Sequence, residues 1–275
     1  MERLQPKVYV KNELGRALLG EFVGTMILLL IGTSVVAQHE LPRVRINEQI
    51  GVNIGFGLAI AFGVAVSAKL SGGHINPAVS LMFLSLPEPS LEPPSPSSST
   101  TTPSTTLTVE TTRWSAPTRR PKFSPRTRPP HLGTINGLTD QIIATAVFCF
   151  LIAHFTDERR TSYPNWVRPL LIGLSFVAIG TAFSFNCGYP CNPARDFGPR
   201  LFTLLAGYGG ETFTYRGWWW VPIVGPFIGA LIGAWLYQFT IGFHTSIEVL
   251  TKYAIVEGPK KSEHIKEEGE QLVQS

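Results

Sequence analysis

Residues 186–200 read Asn-Cys-Gly-Tyr-Pro-Cys-Asn-Pro-Ala-Arg-Asp-Phe-Gly-Pro-Arg, and this stretch decides the fold. Its Asn-Pro-Ala core occurs once more, at residues 76–78. Each copy has the chemistry of a helix start, because asparagine is a favoured N-cap and proline at the first helical position loses no needed donor. Two unrelated helix caps would not both follow long apolar segments and small lead-in residues. We therefore predict two half-helices that dip into a membrane, with their positive ends aimed at a buried polar path.

The composition is typical of a membrane protein that also contains polar segments. Of the 275 residues, 44% are hydrophobic and 15% are charged, whereas soluble proteins average about 25% charged. The net charge of +4 comes from basic residues between apolar blocks, so nucleic-acid binding is not favoured. The cysteines, at 149, 187 and 191, have neither the number nor the spacing of a disulfide framework or a metal site, and no cofactor is predicted.

The apolar runs predict an all-α membrane protein with five spans and two half-helices. The predicted spans are residues 17–36, 50–70, 138–155, 169–185 and 218–243, and the predicted half-helices are residues 77–85 and 193–205. The polar lead, residues 1–16, is basic and therefore suited to the cytoplasmic side, and no cleavable signal is evident in it. The tail, residues 246–275, is predicted to be cytoplasmic as well.

Two halves of the chain repeat the same order of elements. Residues 17–85 and residues 131–245 each begin with a span, continue with a Gly- and Ala-rich span and then reach an Asn-Pro-Ala half-helix. Repeats with broken helices place their substrate site near the bilayer midplane. A full span follows the second half-helix, but a Pro/Ser/Thr-rich basic segment, residues 86–130, stands in the matching place of the first repeat. Its composition predicts disorder, so the third span is missing from the sequence.

These residues resemble the aquaporin (major intrinsic protein) family, and specifically its aquaglyceroporin, or glycerol-facilitator, branch. The resemblance covers roughly residues 13–85 and 131–245, and it depends mainly on Ser-Gly-Gly-His-Ile-Asn-Pro-Ala-Val (71–79) and Asn-Pro-Ala-Arg-Asp-Phe-Gly-Pro-Arg (192–200). Asp196 is the residue that resembles the glycerol-conducting branch. The resemblance implies six spans, two half-helices and tetramers with one pore per subunit, in the plasma membrane, basolateral in epithelia.

The resemblance also implies roles for named residues. Each half-helix would be capped by an Asn-Pro-Ala motif, whose asparagine amide donates to the passing water or hydroxyl oxygen, while the facing helix dipoles oppose protons and cations. The motif residues are Asn76, Pro77, Ala78, Asn192, Pro193 and Ala194. The outer constriction would consist of Phe56, Gly180, Tyr189 and Arg195. In it, Gly180 would leave room, the two aromatic rings would form an apolar wall for a polyol, and Arg195 would donate to its hydroxyls.

Three further residues are implied to brace the re-entrant loops. Glu21 and Gln141 would accept backbone N–H bonds, and His74 would join the first loop, although it could simply bond a loop carbonyl. From the residues alone, a carboxylate in a span indicates a functional role, but Glu21 is close enough to a helix end to reach the surface instead.

The segment at 86–130 has two interpretations. A displaced reading frame from Pro87 to Pro94 permits Ala-Gly-Ala-Phe-Leu-Gly-Ala-Ala, and the same displacement from Phe123 to Pro129 permits another family-like string. The hypothesis is therefore an out-of-frame translation, from a gene-model error or an aberrant transcript. The alternative is a genuine insertion; five spans would then give both halves the same orientation, and the half-helices could not meet.

The predicted function is a passive channel for glycerol, other small uncharged solutes and water, with no catalysis, metal or cofactor. The first rival is a non-conducting isoform that co-assembles with intact subunits, and this exact chain is expected to conduct poorly. An intramembrane enzyme is the second rival, but we find no nucleophile–base pair within the spans. A third is that the basic segment binds anionic lipid or a protein partner.

Overall fold

The computed structural model describes residues 9–41, 46–86, 132–157, 163–207 and 209–244, and these residues form helices and their connections. The α-helices are α1 (Glu13–Glu40), α2 (Gln49–Ser71), α3 (Pro77–Ser85), α4 (Thr134–Thr156), α5 (Arg168–Phe183), α6 (Pro193–Leu205), α7 (Glu211–Thr214) and α8 (Val221–Thr240). Two short 3-10 turns follow α7 and α8, at Tyr215–Gly217 and Gly242–His244. The predicted all-α class is confirmed.

Four of the described helices, α1, α2, α4 and α8, are long and apolar enough to cross a membrane. The apolar helix α5 is shorter, with 16 residues, or about 24 Å at the helical rise. All five predicted spans are therefore helical. The helices extend up to about one turn beyond the predicted apolar runs or stop short of them by less. α1, for example, begins early because the side chain of Asn12 accepts the Gly15 N–H at 3.2 Å and so caps a polar first turn.

Small residues determine how closely the long helices approach one another. α1 and α2 are antiparallel: a Cβ added at Gly20 would lie 2.9 Å from the Cβ of Leu70. α2 crosses α5 where Gly57 meets Gly173, and a Cβ at Gly173 would lie 2.4 Å from the Gly57 carbonyl oxygen. α4 and α8 run parallel, and a Cβ added at Gly233 would meet the α4 backbone. Glycine is therefore required at these crossings, as is common where membrane helices pack closely.

The helices define two faces of the molecule. α1 begins and α2 ends at one face, which we call the N-terminal face; α2, α4 and α8 begin at the opposite face. α3 starts in the interior beside residue 191 and returns toward the N-terminal face, where the Phe83 ring stacks on His74 at 4.8 Å between ring centroids. The second half is thus inverted relative to the first. Residues 87–131, where the third span is predicted to be missing, lie outside the described residues, and that prediction is untested.

The core lies between the long helices and around the two half-helices. It is built mainly of apolar side chains from both halves, among them Leu28, Phe56, Met82, Phe148 and Phe176. The three cysteines are buried and unpaired. Because the core joins both repeats, it holds the two interior half-helices at the same depth.

Candidate functional site

Each Asn-Pro-Ala motif forms the start of an interior helix. The Asn76 side-chain oxygen accepts the Ala78 N–H at 2.9 Å. The Asn192 oxygen accepts the N–H groups of Ala194 and Arg195, at 3.0 and 3.2 Å. In both cases the proline that follows occupies the first helical turn, where its missing N–H costs no bond. Capping therefore fixes the orientation of both amide groups.

The two caps also hold each other. The Asn76 amide nitrogen donates to the Cys191 carbonyl at 2.9 Å, and the Asn192 amide nitrogen donates to the Ile75 carbonyl at 2.8 Å. The positive ends of α3 and α6 therefore meet head to head inside the molecule. The objection raised for five spans, that the half-helices could not meet, depends on residues outside the described part of the chain and stays untested. Each amide has a second N–H group that these bonds do not use.

The residue before each asparagine has a left-handed backbone. Ile75 has a φ of 43° and Cys191 a φ of 47°, which is unfavourable for any residue with a side chain and most of all for a β-branched one. The carbonyls of these two residues are the acceptors of the reciprocal bonds. Strain of this kind is found where the surrounding structure over-determines a functional geometry. Sequence reasoning missed both residues, because neither residue type favours a positive φ.

Glu21 of α1 holds the first loop by its backbone. Its two carboxylate oxygens accept the N–H groups of His74 and Ile75, at 2.9 and 2.6 Å. Glu21 is buried, so both bonds are charge-assisted and shielded from water. His74 contacts Ser80 of α3 through its Nδ1, at 3.1 Å. The carboxylate therefore fixes the strained turn before the first half-helix.

Gln141 of α4 holds the second loop with the opposite polarity. We predicted that it accepts backbone N–H bonds, but its amide nitrogen donates, to the Gly188 carbonyl at 3.0 Å and to the Cys187 sulfur at 3.1 Å. The reason is that the chain presents a carbonyl at this point, and an amide can donate where a carboxylate cannot. Its oxygen has no hydrogen-bond partner among the described residues.

The four predicted constriction residues are brought together beside the second motif. The Arg195 guanidinium carbon lies 4.6 Å from the centroid of the Phe56 ring, a cation–π contact. Tyr189 packs edge-on against Phe176, with ring centroids 5.3 Å apart. The arrangement places a cation and two aromatic rings next to the meeting point of the half-helices.

The room left by Gly180 is occupied by a neighbouring ring. The missing side chain of Gly180 does not leave open space, because a Cβ added there would lie 2.7 Å from the Cζ atom of Tyr189. The Tyr189 ring therefore occupies the volume that a side chain at position 180 would fill. Gly180 therefore allows the Tyr189 ring to lie against α5.

Two polar residues of α2 were missed by sequence reasoning. The Tyr189 hydroxyl donates to the side-chain oxygen of Asn53, and Gln49 donates to the same oxygen at 3.0 Å. Asn53 lies within a predicted span, where a polar side chain indicates a specific partner. That signal was available in the sequence, although the identity of the partner was not.

Asp196 lies behind the constriction in a buried ion pair. Its carboxylate accepts from the Arg200 Nε at 2.6 Å, and both side chains are buried. Arg200 also donates to the Thr212 carbonyl. Asp196 thus orients Arg200, whose bond to Thr212 links α6 to the segment that leads into α8.

The pattern of caps, loops and constriction matches a known family. A model of the family described as major intrinsic protein matches residues 9–93 and 99–237. The chain belongs to the major intrinsic protein family. Aquaporin-10 of Milnesium tardigradum is 40% identical over 86% of this chain and 65% of its own length. Human aquaporin-9 is 32% identical over 86% of each protein.

A solved structure has the same fold as this major intrinsic protein. The X-ray structure of the aquaglyceroporin from Plasmodium falciparum superposes with a TM-score of 0.66 and 24% sequence identity. The match covers 83% of this chain and 97% of that chain. This match shows the shared fold. Aquaglyceroporin-2 of Rhizophagus irregularis, which is 33% identical over 79% of this chain and 74% of its own length, supports the aquaglyceroporin branch. The resemblance stated from the sequence is therefore confirmed. The family and the apolar helices make the chain an integral membrane protein.

Proposed function

We propose that the chain is a passive channel for glycerol, other small uncharged solutes and water. The observation that carries the proposal is a reciprocal pair of bonds, from the Asn76 amide to the Cys191 carbonyl and from the Asn192 amide to the Ile75 carbonyl. These bonds join two helix N-termini inside a membrane protein. An oxygen that passes this point accepts hydrogen bonds from the remaining amide N–H groups. The positive ends of both half-helices oppose the passage of cations and protons at the same place.

The constriction residues support a permeant with hydroxyl groups and an apolar edge. Arg195 supplies donors for hydroxyl oxygens, and Phe56 and Tyr189 supply ring faces for carbon. Transport of this kind needs no covalent step, metal or cofactor. The proposal includes homotetramers with one pore per subunit, in the plasma membrane and basolateral in epithelia.

The division of the chain remains part of the proposal. Residues 17–85 form the first repeat and residues 131–245 the second, and their inverted arrangement supports this division. The non-conducting alternative depends on residues 86–130, and neither the described helices nor the relatives support it specifically.

The test is glycerol uptake by yeast cells that lack their own glycerol channel and express the full chain. Although the sequence alone predicts poor conduction, the half-helices meet in the structure. We therefore expect uptake above that of vector-only cells, with the chain detected at the plasma membrane. The matched variant is Asn192→Leu, which removes the cap bonds and one reciprocal bond, and we expect it to lose the uptake. Surface labelling corrects for abundance. Uptake equal to that of vector-only cells, at normal surface abundance, would contradict the proposal.

A further inference from the structure

Asn53 is a buried amide in the second turn of α2, a membrane-spanning helix. Its side chain is 2% exposed, and a polar group at such a place is costly unless it is hydrogen-bonded. The side-chain oxygen of Asn53 accepts from Gln49, one turn earlier on α2, and from the Tyr189 hydroxyl, which belongs to the second re-entrant loop. The second bond joins residues that are 136 positions apart in the chain.

This bond determines where the polar end of the tyrosine lies. The Tyr189 ring is wedged toward α5, since a Cβ at Gly180 would lie 2.7 Å from its Cζ and 2.9 Å from its hydroxyl oxygen. Tyr189 is 4% exposed. The hydroxyl therefore points between α2 and α5, and the ring is what remains to face the constriction.

We propose that Asn53 is a positioning residue for the constriction, and that it determines selectivity by holding the Tyr189 hydroxyl away from the permeant. The inference rests on the proposed function. With the bond in place, Tyr189 presents an apolar ring face and stays against Gly180. Without it, a buried hydroxyl has lost its acceptor and gains by turning to water in the pore, which narrows the constriction and adds a polar group to its wall.

A simpler role for Asn53 would be packing within α2, supported by Gln49 alone. The two roles differ in whether the effect of replacing Asn53 depends on the tyrosine hydroxyl. If Asn53 only packs, the effect of replacing it is the same with or without that hydroxyl. If Asn53 positions the ring, the effect is lost when the hydroxyl is removed, because a phenylalanine ring needs no acceptor. A double-mutant cycle therefore separates them.

The experiment uses proteoliposomes of the full chain and measures the ratio of glycerol to water permeability. For Asn53→Leu we expect the ratio to fall about tenfold, which corresponds to about 1.4 kcal/mol. Tyr189→Phe serves as the reference for the double variant, and adding Asn53→Leu to it is expected to change the ratio by less than about twofold, because a phenylalanine ring has no hydroxyl for Asn53 to hold. The control is Ser67→Ala, which removes a buried hydroxyl of α2 that donates only within its own helix, to Gly63 at 2.7 Å.

Three permeability results and one thermal result overturn the inference. The first is an unchanged ratio in Asn53→Leu, and the second is an equal fall with and without the tyrosine hydroxyl. The third is a parent no more permeable than empty liposomes, which overturns the proposed function as well and so differs from the first two. Asn53→Ala is measured in parallel, because it removes the acceptor without adding bulk. The thermal midpoints of the parent, the two single variants of the cycle and the double variant give a second readout. If the shifts in midpoint of the two single variants add up to the shift of the double variant, the bond is absent.

Discussion

In the constriction, the size of the side chain is limited most tightly at position 180. Gly180→Ala places a Cβ 2.7 Å from the Tyr189 Cζ, and overpacking of this kind costs about 1–3 kcal/mol. We expect the ring to move toward the pore and the glycerol permeability to fall about tenfold, with a smaller loss for water. Permeability of proteoliposomes to each solute is the measurement.

The control for this prediction is Gly210→Ala, because a Cβ at Gly210 meets nothing within 4 Å. We expect both of its permeabilities to equal those of the parent. An equal loss of glycerol and water permeability in Gly180→Ala would show that Tyr189 does not shape the selective constriction.

Replacement of Glu21 tests whether its carboxylate holds the first re-entrant loop. Glu21→Gln keeps the shape but has one acceptor oxygen for two backbone N–H groups, those of His74 and Ile75. One N–H then faces an amide NH₂, and the loss of a charge-assisted bond costs about 1.5–3 kcal/mol. We expect a lower thermal midpoint in detergent and a loss of permeability to both solutes.

Glu13→Gln is the matched control, since Glu13 is on the same helix but its side chain is 76% exposed and lies 3.7 Å from Arg16. An exposed pair of this kind contributes little, so the midpoint should shift by the equivalent of less than about 1 kcal/mol. If both variants behave alike, the Glu21 bonds do not hold the loop.

Single residues are also where prediction from sequence was least complete. The asparagine caps follow from residue type, because Asn-Pro has a strong preference for a helix start. The left-handed turns at Ile75 and Cys191 do not, since their residue types disfavour that backbone and only the assembled loops impose it. The polarity of Gln141 depends on whether a loop presents an N–H or a carbonyl, and the amino-acid sequence does not reveal which.

Among the helices, α2 and α5 cross at close contact between two glycines. A Cβ at Gly173 would lie 2.4 Å from the Gly57 carbonyl oxygen, which is backbone and cannot move aside. We expect Gly173→Val to separate the two helices and lower the thermal midpoint by the equivalent of about 3 kcal/mol or more. Ala178→Val, at an exposed position of the same helix, should leave the midpoint nearly unchanged. Equal midpoints would show that close contact here is dispensable.

The ion pair of Asp196 and Arg200 holds α6 to the segment before α8. Both side chains are buried, and Arg200 continues the link to the Thr212 carbonyl. Because removal of one partner of a buried pair costs about 3–5 kcal/mol, we expect Asp196→Asn to lower the thermal midpoint and to increase proteolysis within residues 206–217. Proteolysis at the parent rate would contradict an anchoring role.

The sequence was most informative about the helices and their limits. Both half-helices begin and end where the sequence predicts, because an Asn-Pro start and a short apolar run bound each of them. The long helices differ from prediction by up to about one turn, since capping and polar ends, not apolarity, set their limits. Which helices cross at which glycine could not be predicted, because it depends on the assembled bundle.

At the scale of the whole molecule, the inverted arrangement of the two halves is the central finding. α3 returns to the N-terminal face and α4 begins at the opposite face, so the described helices are related as in the predicted inverted repeat. The out-of-frame hypothesis for residues 86–130 stays a prediction. It expects the genomic sequence of this locus to encode a third span in another frame, and a locus with no such span would end it.

The most direct test of the whole account is stopped-flow light scattering of proteoliposomes that contain only the purified full chain. The meeting of the half-helices at Asn76 and Asn192 predicts faster glycerol and water flux than in empty liposomes, with no added proton conductance. Glycerol and water flux equal to that of empty liposomes, in vesicles shown to contain the folded chain, would contradict the account.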